Sequence, residues 1–164
     1  MAKLEDIQAV YDRNAGIYEN HAALESEVGH RLLERVKFGR SDPAVVLDLG
    51  CGTGVCTAEL KKDLRKVRVI GLDASTGMLA VARKKSSLTR PLRWINGDMN
   101  ALPLARDSFD LVVSNLALPL LEGFGELFDQ VRRVLKPDGM FLFSTLGPAS
   151  FSQVYEAAGC LEQP

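Results

Sequence analysis

Short apolar runs alternate with stretches in which apolar residues recur every three or four positions. The runs occupy residues 45–49, 67–72, 92–95, 109–115 and 140–144, and such runs, bounded by turn formers, predict strands buried on both faces. Helical spacing sets the segments around them. Leu4, Ile7, Val10 and Tyr11 mark a first helix, and Leu24, Val28, Leu32 and Val36 a second that stops near Gly39. A third runs from Val55 to about Leu64, and Ser75 is a good N-cap for a fourth carrying Met78, Leu79 and Val81. Phe124, Leu127, Phe128, Val131, Val134 and Leu135 give a fifth, stopped by Lys136-Pro137-Asp138-Gly139. Phe151, Val154, Tyr155 and Ala158 predict a last one ending at Gly159. Strands alternating with helices imply parallel strands with right-handed crossovers, an α/β three-layer sandwich around a mostly parallel sheet. We expect one domain over residues 1–164, with N-terminal helices and a lid in 1–37 and the core in 44–146.

In such sheets ligand groups lie beyond the carboxyl ends of the strands. Asp48, Asp73, Asp98 and Asn115 all fall at such ends. The first run leads into Asp48-Leu49-Gly50-Cys51-Gly52-Thr53-Gly54, and the second ends at Asp73. A tight glycine loop between strand and helix brings backbone close to a ligand, and an acid at the end of the next strand reaches a ribose. The alternative is a structural turn. The third glycine of a dinucleotide fingerprint would stand at position 55, where this chain has Val55. A ligand without a pyrophosphate fits better, and adenosine with a short charged tail points to S-adenosylmethionine.

Composition adds bounds. An apolar share of 46% and a charged share of 25% are those of an ordinary globular domain, and a net charge of −1 makes no general case for nucleic acid. Three cysteines, Cys51, Cys56 and Cys160, are too few for a disulfide framework and fit a reducing cytoplasm. Cys51 and Cys56 read as small packing residues near the loop, and two histidines supply no zinc-ligand spacing. The N-terminus has no long apolar stretch, so neither a signal peptide nor a membrane span is expected. Tyr11, Tyr18 and His21 have two readings: half-buried packing residues, or a mouth that closes over the site. A basic stretch from Lys61 to Arg90, and a smaller cluster of Arg132, Arg133 and Lys136, are either solvated helix faces or docking surfaces for an acidic partner.

The loop motif, with Gly71-Leu72-Asp73-Ala74-Ser75 and Met78-Leu79, resembles class I S-adenosylmethionine-dependent methyltransferases. Gly97-Asp98-Met99, Leu102-Pro103-Leu104, Phe109-Asp110-Leu111-Val112 and Leu135-Lys136-Pro137-Asp138-Gly139 match their later motifs. A narrower likeness rests on Tyr11-Asp12-Arg13, Tyr18-Glu19, Glu27-Val28-Gly29, Ser114-Asn115-Leu116-Ala117 and Phe143-Ser144-Thr145-Leu146-Gly147-Pro148. These resemble the malonyl-acyl-carrier-protein methyltransferases of biotin synthesis, which esterify a free malonyl carboxyl. The match departs after Leu118, where Pro119 and Leu120 replace a polar residue and a tryptophan.

The resemblance implies a Rossmann-like fold lacking its last two strands, S-adenosylmethionine as cofactor, and a role for each matched residue. Asp73 would bind both ribose hydroxyls. The backbone at Gly50, Cys51 and Gly52 would meet the methionine tail, with Asp48 ordering the loop and Met78 behind it. Ala74 and Met99 would sandwich adenine, and Asp98 would accept from its amine. Asn115 and Leu116 would bracket the transferred methyl, and Tyr11 and Tyr18 would shape the lid. Arg13 is a candidate counter-charge for an acidic acceptor. An acyl carrier protein is the expected partner, and a fifth strand without its usual neighbour predicts self-association or cover from the segment after Gly147. Two alternatives stay open: a methyltransferase for another small metabolite, and a non-catalytic accessory protein that keeps the fold.

Overall fold

The computed structural model describes residues 4–38, 43–118, 124–147 and 150. The strands are β1 (Val45–Leu49), β2 (Arg68–Asp73), β3 (Arg93–Asn96), β4 (Phe109–Asn115) and β5 (Leu135–Ser144). The helices are α1 (Leu4–Asn14), α2 (Ala23–Phe38), α3 (Val55–Asp63), α4 (Thr76–Ala82) and α5 (Gly125–Val134). The sheet runs β3-β2-β1-β4-β5 with every pairing parallel. The chain begins at the centre, builds outward to β3, then returns to lay β4 and β5 on the other side of β1. Strand order reverses between β1 and β4, and that reversal opens a crevice at their carboxyl ends.

Successive strand residues point to opposite faces. Val46, Val69, Leu111 and Val113 pack with Leu32 and Leu33 of α2 and Leu60 of α3. Leu47, Ile70, Leu72 and Val112 pack on the other face with Leu127, Val131 and Val134 of α5. Helices thus cover both faces of a Rossmann-like sheet, and the strand runs are nearly all apolar for that reason.

Three expectations are corrected. On α2 the stripe does not bury Leu24, which is 48% exposed, because the first turn of the helix runs past the sheet and over the crevice. On α5, Phe124 and Phe128 are 44% and 42% exposed. They form an aromatic cluster with Phe141 and Phe143 of β5, at the sheet edge, instead of entering the core. The fifth strand starts at Leu135, not Met140: Phe109 pairs with Leu135 and Leu111 with Met140, so Lys136–Gly139 bulges from a continuous strand.

Lys136 Nζ in that bulge donates to Asp110 Oδ1 at 2.7 Å, while Asp110 Oδ2 accepts from the Ala44 and Val45 N–H groups at 3.0 and 2.8 Å. Burial works against the Asp110 charge, but Lys136 and the two N–H groups outweigh it and hold the carboxyl below its ordinary range. The residues of the expected last helix, Cys160, and Pro119 to Leu121 lie outside the described residues. Among the described residues no helix is long and apolar enough to cross a membrane.

Candidate functional site

A cavity of about 340 Å³ opens at the carboxyl ends of β1, β2 and β4, within the size range of small-molecule sites. The glycine loop forms its floor. Gly50 and Cys51 donate their N–H groups to the Leu72 carbonyl at 2.8 and 3.0 Å, which seats the loop on the end of β2. Gly54 has φ 79°, and a Cβ there would lie 2.4 Å from the Trp94 ring, so packing and backbone both demand glycine. Gly52 differs. Its φ is 54°, and a Cβ would meet nothing within 4 Å. It borders open cavity, so a ligand can approach its Cα closely.

Two carboxylates anchor the loop. Asp48 is 1% exposed and accepts from the Thr57 hydroxyl at 2.5 Å. Burial raises its pKa to about 6, with a smaller push from the Asp73 charge, against the Thr57 bond. Asp73 accepts from Gly52 N–H at 2.7 Å through one oxygen and from Ser75 N–H at 2.8 Å through the other. Burial raises its pKa too, and these backbone bonds oppose the rise. A carboxylate offers about four acceptor positions, so each oxygen keeps one for a ligand hydroxyl.

The N-terminal helices roof the cavity. Ser75 caps α4 by accepting from Met78 N–H at 3.0 Å, and its hydroxyl donates to Asp12 of α1 at 2.6 Å. Asp12 also accepts from Gly77 N–H at 2.7 Å, and Gln8 donates to the Ala74 carbonyl at 2.5 Å. Tyr11 and Tyr18 meet edge to face at 6.0 Å, and both are half-buried and line the cavity. Burial first, then the Glu25 charge, raises both phenols, Tyr18 to about 12.

At the far wall Asn115 is held on both sides. Its amide donates to the Glu25 carbonyl at 2.8 Å, and its oxygen accepts from the Ser144 hydroxyl at 2.8 Å. Leu116 follows with φ 52°, a left-handed conformation costly for leucine, pinned by its N–H to Ser144.

The structure brings every residue that the resemblance assigns to the cofactor, the methyl group or the lid to this one cavity. Asp48, Gly50, Cys51 and Gly52 come from β1 and the loop, and Asp73, Ala74 and Met78 from β2 and α4. Asp98 and Met99 follow β3, Asn115 and Leu116 end β4, and Tyr11 and Tyr18 hang from the roof. Cys51 and Cys56 are free thiols that burial pushes up, consistent with packing. His21 and Arg13 are exposed and do not line the cavity, because both fall on the outer side of the roof. Gln8 and Glu25 escaped the sequence reading, and Asp12 and Ser144 entered it only as members of matched motifs, with no role of their own.

The basic stretch lies elsewhere. Arg68 begins β2 and Asp73 ends it, and at about 3.3 Å per residue the two are roughly 17 Å apart. Lys61 is buried, with its ammonium on the Arg65 and Val67 carbonyls, and Lys85 pairs with Glu19. Arg133 is spent on the Leu102 and Leu104 carbonyls.

Residues 46–139 match a family model described as a methyltransferase domain. The chain is 39% identical over 157 residues to a malonyl-[acyl-carrier protein] O-methyltransferase of Methylovorus sp., covering 92% of this chain and 53% of that protein. It is 34% identical over 158 residues to the same kind of protein from Legionella pneumophila, covering 96% and 56%. The chain spans about half the length of the curated relatives it matches. An S-adenosylmethionine-dependent methyltransferase structure from Mesorhizobium loti is similar with TM-score 0.55 at 39% identity, over 63% of this chain and 47% of that one. A Haemonchus contortus phosphoethanolamine N-methyltransferase 2, solved with S-adenosylhomocysteine, is similar with TM-score 0.62 at 28% identity, over 78% and 31%.

Proposed function

Because the chain belongs to the class I S-adenosylmethionine-dependent methyltransferases, we propose that it methylates the free carboxyl of a malonyl thioester on an acyl carrier protein, a step of biotin synthesis. The observation that supports the methyl-donor part is the cavity at the strand-order reversal, lined by the glycine loop at Gly50 and Gly52 and by Asp73 at the end of β2. The acceptor part is supported by the malonyl-[acyl-carrier protein] relatives, which match nearly the whole of this chain.

The residues present fit S-adenosylmethionine. The cavity is of suitable size, its lining is acidic, and Asp73 keeps acceptor positions for two hydroxyls. When bound, the cofactor supplies a methyl group on a positively charged sulfur. The chain's own residues do the positioning. Asp73 would hold the ribose, Ala74 and Met99 would flank the adenine, and Asp98 would accept from its amine. The loop at Gly50 and Gly52 receives the methionine tail. Asn115, braced by Glu25 and Ser144, and Leu116, locked in a left-handed turn, fix the wall against which acceptor and methyl align. Alignment at near-contact distance lowers the barrier without further chemistry. A malonyl carboxyl is ionised at neutral pH, so the chain would need only to align it with the methyl group that the bound cofactor would supply. No general base is required.

One observation favours a second reading, a methyltransferase for another small metabolite. Among the described residues no lysine, arginine or histidine lines the cavity, so a free carboxylate finds no counter-charge there. Labelled methyl transfer to malonyl-carrier protein, malonyl-CoA and a panel of small amines and acids tests both. Transfer to the malonyl thioester is expected. Transfer only to another acceptor overturns the malonyl assignment.

A further inference from the structure

We propose that Glu25 makes the cavity prefer the positively charged methyl donor to its uncharged-sulfur product, and so helps eject the product after each transfer. This rests on the cofactor reading above and assigns a residue the sequence motifs do not contain.

Five carboxylates line the cavity: Glu19, Glu25, Asp48, Asp73 and Asp98. Four of them are engaged. Asp48 accepts from Thr57, Asp73 from Gly52 and Ser75, Asp98 from the Asn100 N–H, and Glu19 pairs with Lys85. Glu25 is different. Its backbone carbonyl is held by Asn115, yet among the described residues its carboxylate has no hydrogen bond and no ion pair. The held backbone fixes where the side chain starts. The side chain borders the cavity beside Tyr11 and Tyr18, and no described cation lines that cavity to neutralise it.

An uncompensated carboxylate on a half-enclosed wall, among other carboxylates, creates a field that a cation relieves. Nearby charges act across such a cavity with an effective dielectric well below that of water. S-adenosylmethionine and S-adenosylhomocysteine share adenosine, ribose, ammonium and carboxylate. They differ by one methyl and one positive charge on sulfur. A residue acting on the shared groups changes both affinities alike, whereas Glu25, whose backbone carbonyl is held by Asn115 at the wall proposed to face the methyl group, would act on the charge that differs. Loss of that charge on transfer removes the attraction at the moment when release is needed.

The test is calorimetric titration of the whole protein and its Glu25→Gln and Glu25→Asp variants with S-adenosylmethionine, S-adenosylhomocysteine and sinefungin, in which an amine-bearing carbon replaces the sulfonium. Unfolding transitions check that the variants are folded. Glu25→Gln is expected to weaken S-adenosylmethionine and sinefungin by about threefold to tenfold and S-adenosylhomocysteine by less than about twofold. Glu25→Asp should keep the preference. The donor's advantage in the unaltered protein should shrink as ionic strength rises. Equal losses for donor and product, or no loss for either, would overturn the role of Glu25 and leave the cofactor reading standing. An unaltered protein that binds none of the three would overturn the cofactor reading itself.

Discussion

Asp48 carries a testable conflict between stability and binding. Its carboxyl is 1% exposed, and burial raises its pKa from the ordinary 3.8 to about 6. A raised carboxyl pKa means that the folded state holds its proton more tightly than the unfolded chain. The group therefore favours folding below the unfolded value, and that benefit is lost as pH rises through the folded one. A difference of about 2 pH units corresponds to about 3 kcal/mol between the two limits. By the linkage relation, nearly all of it is absent at pH 7.5 and roughly half has returned by pH 5. Asp48→Asn removes the buried charge while leaving the Thr57 hydroxyl an oxygen to donate to. We expect the variant to be more stable than the unaltered protein at pH 7.5 by about 1 to 3 kcal/mol, with the advantage shrinking towards pH 5. Asp73 and His30 are also raised and tilt the stability of both proteins the same way, so the informative quantity is the difference between the two proteins. Urea unfolding between pH 5 and 8 without ligand measures it. A variant less stable at pH 7.5, or a difference that does not vary with pH, refutes the reasoning. The same charge should be useful when a cation arrives: binding of S-adenosylmethionine is expected to release a proton between about pH 5 and 7, and the variant should bind it more weakly.

Asp73→Ala removes the acceptor of two backbone bonds of 2.7 and 2.8 Å as well as the proposed ribose contacts; S-adenosylmethionine affinity should fall by about 2 kcal/mol or more, and an unchanged dissociation constant removes Asp73 from the site. Leu116→Gly relieves the left-handed backbone at φ 52° and should raise apo stability by about 1 kcal/mol while lowering methyl transfer; a less stable variant would show that the side chain packs more than the backbone strains. The aromatic cluster at the β5 edge, with Phe143 38% exposed, should drive self-association, and Phe143→Glu should reduce it in sedimentation experiments. A concentration-independent monomer instead favours cover by the segment after Gly147.

The glycine loop and the strand ends were legible because their chemistry is local. Asp48, Asp73, Asp98 and Asn115 each lie at or just beyond the carboxyl end of an apolar run, and parallel topology brings such ends together without further information. The roles of Gln8, Asp12 and Glu25 were not legible for the opposite reason, although Asp12 stood in a matched motif. Each is one polar residue on an amphipathic helix, indistinguishable in sequence from a solvated face, and its role comes from partners far along the chain, such as Ser75 for Asp12 and Asn115 for Glu25. Phe124 and Phe128 obey the helical period yet stay exposed, because a period reports which face is apolar and not what covers it. Lys136–Gly139 reads in sequence as a turn before the strand, and its continuity with β5 depends on pairing with β4 that no local pattern reveals.

The bonds that tie α1 to the floor run in an unbroken series. Gly52 meets Asp73, Asp73 meets Ser75, and Ser75 meets Asp12, with Gln8 on Ala74 alongside. Fraying of the first helix and loosening of the glycine loop are therefore one thermodynamic event. A ligand that settles on the loop should slow amide hydrogen exchange in α1 without touching most of it, by about 100-fold at a hundredfold excess over its dissociation constant. Residues 4–14 would then serve as an occupancy gauge that reads binding with no turnover, and proteolytic clipping after Asn14 would be felt at the cavity as weakened affinity.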